Sequence, residues 1–144
     1  DPHDEHEAAP RRRPELDNRY CVLHTTHMTV FGTFLRESRE RRRATDPSFS
    51  VRQLAHRIGV EPSFLSKVER GETPPPSEEK IKALARALDA DSDVLLALAG
   101  KVSSDLQEAI RRRPALFAEL IREMRDQPDH AVLRVVREVR DGTW

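Results

Sequence analysis

SVRQLAHRIGVEPSFLSKVERG, residues 50–71, is the stretch whose reading decides the fold. Ser50 followed three residues later by Gln53 forms a capping box, which starts a helix at Val51. Val51, Leu54, Ala55 and Ile58 fall at i, i+3, i+4 and i+7, one apolar face over two turns. Gly59 ends that helix, because an unusual backbone step costs glycine least. Pro62 suits the first position of a second helix, where its missing N–H would be unpaired anyway. That helix turns Phe64 or Leu65, and Val68, inward and stops at Gly71. Two short helices joined by a tight glycine-containing turn make a helix-turn-helix.

The outward face of the second helix carries Ser63, Ser66, Lys67 and Arg70. Short hydroxyls and long cations are the side chains that reach base edges and phosphates in a DNA major groove. An ordinary two-helix hairpin with a solvated face would show the same periodicity, so spacing and caps leave both readings open. The residues themselves resemble the Cro and phage-repressor family of helix-turn-helix proteins, the xenobiotic-response-element type. The resemblance rests on Gln53–Ala55, Ile58–Val60 and Pro62–Gly71, followed by the run PPPSEEKIKALARAL, and extends from about Phe31 to Gly100. It implies an all-α fold, a five-helix repressor-type domain followed here by a short C-terminal helical segment.

The resemblance also implies a function: a sequence-specific DNA-binding transcriptional regulator, a repressor, that lays helix 61–70 in the major groove as a dimer. Carried over position by position, it puts base contacts on Ser63 and Lys67, with Glu61, Pro62 and Ser66 at the edge of the site. Lys67 would donate to guanine O6 and N7, and Ser63 would read less selectively. Ser50 would hold a phosphate through its hydroxyl and the adjacent backbone N–H groups. Arg52 and Arg70 would add backbone contacts that position without reading sequence. Arg39 stands where the family has a helix-1 arginine paired with a glutamate at the end of the recognition helix, here Glu69. If both were surface charges, the pair would contribute at most ~1 kcal/mol.

Zero formal net charge argues against nucleic acid until its distribution is considered. Between Arg36 and Arg70 nine Lys or Arg face five Asp or Glu, while from Gly71 to Gly100 three face six. The basic block coincides with the helix-turn-helix and its preceding helix, so a local face can bind phosphates although the whole is neutral. With 144 residues and 5% aromatic content, the expectation is one modest Leu/Val/Ala/Ile core plus an appendage. No apolar run approaches the ~20 residues that span a bilayer, and the first residues have no signal-peptide h-region. A single cysteine fits a reducing, cytoplasmic setting without membrane contact.

Residues 1–27 lack periodicity and carry three prolines and four histidines, and they read as a disordered N-terminal tail. Cys21, His24 and His27 lie three apart, and His3 and His6 repeat that spacing, but a zinc site needs four ligands held by a fold. A floppy tail without metal is the simpler reading. Met28 begins the part that resembles the family and is a candidate natural start. Residues 28–100 read as the DNA-binding domain. Its first helix runs from about Val30 to Arg43, with Phe31, Phe34, Leu35 and Ser38 inward. Arg41–Arg43 and a longer loop through Thr45, Asp46, Pro47 and Ser48 depart from the family's short link. The arginines are either a solvated helix end favoured by the helix dipole or a contact to backbone phosphates.

A fourth helix starts near Ser77, with Ile81, Leu84, Ala85 and Leu88 buried, and Asp91 caps a fifth with Val94, Leu95, Leu98 and Ala99 inward. Residues 101–144 read as a dimerisation or partner-binding segment. Ser104 and Gln107 repeat the capping box, Pro114 opens another helix and Pro128 a last one. Leu116, Leu120, Ile121 and Met124 line one, and Val132, Val135, Val136 and Val139 line the next. Such stripes need cover, from a second copy or from the domain of the same chain. An antitoxin that clamps a toxin with these helices and autoregulates its operon is the alternative function. No nucleophile, base and orienter are grouped and no phosphate-binding glycine loop occurs, so neither an enzyme nor a cofactor is expected.

Overall fold

Phe31, Leu35 and Arg39 recur every four residues, which stacks them along one stripe of a helix. In this computed structural model, which describes residues 27–144, they lie on α1 (His27–Arg43) and all three are buried, with Phe34 and Ser38 half-buried beside them. The tail through residue 26, with His3, His6, Cys21 and His24, and the side chains of His27 and Met28 lie outside the described residues, so the reading of a disordered, metal-free tail falls there as well.

After α1 the chain turns on Asp46, whose carboxylate accepts the Ser48 N–H at 2.9 Å. Pro47 then opens a single 3₁₀ turn, Pro47–Phe49, that drives Phe49 into the core. α2 (Val51–Ile58) begins as expected, Ser50 Oγ accepting the Gln53 N–H at 3.2 Å. Gly59 adopts φ +74° and lets the Val60 N–H return to Ala55 O at 3.0 Å, which closes the helix and aims the chain into α3 (Pro62–Glu69). Lys80 Nζ reaches across from the next helix to Ile58 O at 2.8 Å, holding a carbonyl that the end of α2 leaves unpaired. Ser77 caps α4 (Glu78–Leu88), and Asp91 caps α5 (Ser92–Leu98) by accepting from Asp93 and Val94 N–H.

α1 packs against α3, α4 and α5, while α2 packs on α3 and α4. Their shared core is Phe31, Leu35, Phe49, Leu54, Ala55, Ile58, Leu65, Val68, Ile81, Leu84, Ala85, Leu88, Leu95, Leu96 and Ala99. The expected stripe of α5 needs one correction. Leu96 is fully buried, whereas Val94 and Leu98 are only half-buried. This seven-residue helix is enclosed by both α1 and α4, so two adjacent leucines find cover. A Cβ on Gly32 would stand 2.4 Å from Val68 O and 2.7 Å from Glu69 O. α1 and the end of α3 therefore cross at backbone contact, an approach that glycine alone permits.

The chain divides into two compact units, one ending at Val102 and one spanning Ser103–Trp144. The second holds α6 (Ser104–Arg112), α7 (Pro114–Met124) and α8 (Asp129–Asp141), with α6 packed on α7. Its first cap is Ser103, not Ser104. Ser103 Oγ accepts the Leu106 N–H at 3.3 Å, and Ser104 is already the first helical residue. Either serine suits a cap by type, and the extended backbone at Ser103 selects it. No side chain on α6, α7 or α8 is buried. All described residues in regular structure are helical.

Candidate nucleic-acid interface

A recognition helix must be held rigidly while its outer face stays open. α3 is anchored from beneath by Leu65 and Val68, and at its last residue by an ion pair. Arg39 Nε donates to Glu69 Oε1 at 2.9 Å and to Oε2 at 3.2 Å, Nη1 to Phe49 O at 3.2 Å and Nη2 to Glu40 Oε1 at 3.1 Å. Arg39 is 3% exposed and Glu69 7%, so the pair belongs to the interior and not to the surface. One guanidinium thus joins α1, the 3₁₀ turn and α3. Burial pushes the Glu69 carboxyl above the usual glutamate range, against the opposing pull of Arg39's hydrogen bonds and charge. Among the described residues, no buried side-chain nitrogen or oxygen lacks a hydrogen-bond partner. A buried ion pair is tolerated only under that condition.

On the outer side Glu61, Pro62, Ser63, Lys67 and Arg70 are exposed, and Ser66 is half-buried. Ser63 and Lys67 stand four residues apart, one turn of the same face. Arg70 is engaged within the protein: Nε and Nη2 bind Glu72 at 2.9 and 3.1 Å, and Nη1 donates to Ser66 Oγ at 2.6 Å. These hydrogen bonds, and with them the opposite charges, stabilise both ionised forms, lowering the Glu72 pKa and raising that of Arg70. A phosphate contact by Arg70 would have to displace Glu72. Arg52 lies instead along a groove that it lines with Gln53, His56, Arg57, Val60, Glu61 and Pro62, between α2 and the start of α3. Ser50, half-buried at the start of α2, keeps its O–H free to donate while its oxygen caps the helix.

Sequence reasoning left Phe49 and Arg57 unassigned. The Phe49 ring is 7% exposed and carries two guanidinium groups, Arg57 at 4.7 Å and Arg42 at 5.5 Å from its centroid. Arg57 Nη2 also donates to Ser48 O and Oγ. The one signal available was an aromatic residue flanked by turn formers and arginines. In the second unit, Leu116, Leu120, Ile121, Val136 and Val139 are exposed, and Met124, Val132 and Val135 are half-buried. Leu133, outside the expected stripe, is exposed as well. Among the described residues no helix is long and apolar enough to cross a membrane, and no group of His, Cys, Asp or Glu could hold a metal ion.

Residues 30–99 match the family model described as "Helix-turn-helix domain". An uncharacterized HTH-type transcriptional regulator of Mycobacterium tuberculosis, found in two strains, is 41% identical over 69 residues, 48% of this chain and 45% of the relative. The chain thus spans about half the length of these curated relatives. Among solved structures, the clp gene regulator ClgR from Corynebacterium glutamicum is similar over 73% of this chain and 100% of its own, with 25% identity and a TM-score of 0.43. A SinR protein/SinI protein complex is similar over 67% of this chain and 91% of its own, with 23% identity and a TM-score of 0.40. Over residues 30–99 the chain matches a helix-turn-helix domain.

Proposed function

We propose that the protein is a sequence-specific DNA-binding transcriptional regulator, a repressor, with α3 lying in the major groove. The observation that carries this reading is the state of α3: locked from below by the buried Arg39–Glu69 pair, it leaves Ser63 and Lys67 exposed on one turn. Lys67 donates to a guanine edge and Ser63 reads its neighbour, while Glu61, Pro62 and Ser66 border the contact. Ser50 and Arg52 hold phosphates beside it, and Arg70 joins them on leaving Glu72. No catalytic step is assigned, and the protein acts where the chromosome is, in the cytoplasm. Selection of a binding site from random duplex DNA, followed by titration, tests the reading. Lys67→Ala should weaken the selected site by ~1–3 kcal/mol and relax preference at one base pair. Failure of the wild type to enrich any sequence would overturn it.

A single helix-turn-helix covers few base pairs, and two-fold dimers read half-sites ~34 Å apart. We assign dimerisation to the segment from Ser103 to Arg140, through Leu116, Leu120, Ile121, Met124, Val132, Val135, Val136 and Val139. The exposed faces of α7 and α8 support this, since a monomer would leave them in water. The same faces would suit the toxin of an antitoxin reading. Analytical ultracentrifugation of the purified full chain distinguishes them: a homodimer supports the first, and a monomer that pairs only with a different protein supports the second.

A further inference from the structure

The loop between α1 and α2 holds the arrangement that the proposed contacts on α3 leave unused. Phe49 is sunk in the core, and the guanidinium groups of Arg42, at the end of α1, and Arg57, on α2, both lie over its ring. Cation–π attraction holds each in place. The two ring distances place the charges no more than roughly 10 Å apart, within about one Debye length at 0.1 M salt, so their mutual repulsion is only partly screened. The bonds that position Arg57 come from Ser48 O and Oγ, which are neutral. Asp46 feels the charge of Arg57, but its carboxylate accepts hydrogen bonds from Ser48 and forms no ion pair with Arg57. A pair of like charges braced by an aromatic ring and neutral oxygens gains most from an anion of two or more acceptor oxygens, for which guanidinium is the matched donor. Arg57 also lines the groove that runs to Glu61 and Pro62 at the start of α3, so this charge shares a surface with the reading helix.

We infer that Arg42 and Arg57, braced on Phe49, form a phosphodiester-binding site that grips the DNA backbone beside the half-site read by α3. The inference rests on the DNA-binding reading and adds to it a clamp built from the long loop. A phosphate contact displaces condensed counterions, so each one steepens the fall of affinity with salt by about 0.9 in log–log slope. A purely structural pair would leave that slope alone.

The experiment measures binding of the full chain to its selected duplex across a salt series. Arg42→Gln and Arg57→Gln should each lower the slope by about 1, and the double variant by about 2, with the selected sequence unchanged. Where glutamine lowers the melting temperature, Arg57→Lys and Arg42→Lys keep the charge and should keep the wild-type slope. A wild-type slope retained by a folded double glutamine variant overturns the site while leaving the DNA-binding reading intact. A wild type that binds no duplex at low salt overturns that reading and the site with it. Inorganic phosphate alone, titrated at millimolar concentration while the arginine Nε–H signals are followed by NMR, should leave them unmoved. Saturation there would assign the pair to a free phosphate and overturn the backbone contact.

Discussion

Both units are made of short, capped amphipathic helices, yet they treat their apolar residues in opposite ways. Among the described residues up to Val102, five helices and a 3₁₀ turn converge on one continuous core and even take two charged side chains, Arg39 and Glu69, into it. From Ser104 onward, three helices of comparable length bury no side chain and hold Leu116, Ile121 and Val139 more than half exposed. Amphipathicity alone therefore does not decide burial. What differs is closure: α1 crosses three other helices in the first unit, whereas α6 on α7 is the main contact in the second. A three-helix segment of about 40 residues sits at the size where a core must be completed by something else.

The contrast predicts that side chains of the first unit respond strongly to truncation. Glu69→Ala should destabilise by about 3–5 kcal/mol, because it takes the buried counter-ion from the Arg39 guanidinium. Urea unfolding of Glu69→Ala, Arg39→Ala and the double variant gives the coupling, and additive effects would show that the pair is not a unit. Gly32→Ala should cost about 1–3 kcal/mol or more by forcing α1 off the end of α3. A melting temperature equal to wild type would show that the two helices separate without cost.

These two sites also mark how far the sequence can be read. The caps at Ser50 and Asp91, the helix start near Ser77 and the stripe Ile81, Leu84, Ala85, Leu88 follow from local spacing, and the structure has them in those places. Gly32 is different. Inside a helix it looks only like a weak helix former, and its purpose exists only where α3 passes over it. Phe49 likewise belongs to no periodic pattern, since a 3₁₀ turn of three residues is too short to display one. Leu96 needed knowledge that α5 is enclosed on two sides, and Ser103 competed with an identical neighbour as cap. The outward residues of α3 were legible by position. The engagement of Arg70 by Glu72 and Ser66 was not, because it depends on the conformation of the turn after the helix.

The second unit should show the reverse pattern. Leu116→Ala and Ile121→Ala should change the stability of a dilute monomer by no more than about 0.5 kcal/mol, as exposed substitutions do. Together they should weaken self-association by at least about tenfold, or 1.4 kcal/mol, in sedimentation equilibrium. Unchanged association would move the interface elsewhere. The smallest effect belongs to the loop. The Ser48 hydroxyl and backbone N–H lower the Asp46 pKa from 3.8, so its contribution is complete above the unfolded value and fades as pH falls through the folded one. NMR titration should find the Asp46 midpoint below 3.8, and Asp46→Ala should flatten the acid limb of stability against pH. A normal midpoint would mean that the turn does not hold its cap in solution.

Lys80 gives the joint between α2 and α3 an owner outside the motif. Its Nζ rests on Ile58 O, immediately before the left-handed step at Gly59. The angle at which the reading helix leaves its partner is thus set partly from α4, a helix whose first-turn acids, Glu78 and Glu79, make it a poor neighbour for phosphate. The motif is for that reason not portable. Residues 50–71 transplanted alone into another scaffold would bring the outward side chains of α3 but not the strut that fixes their aim. A faithful transplant must carry the chain at least through Lys80.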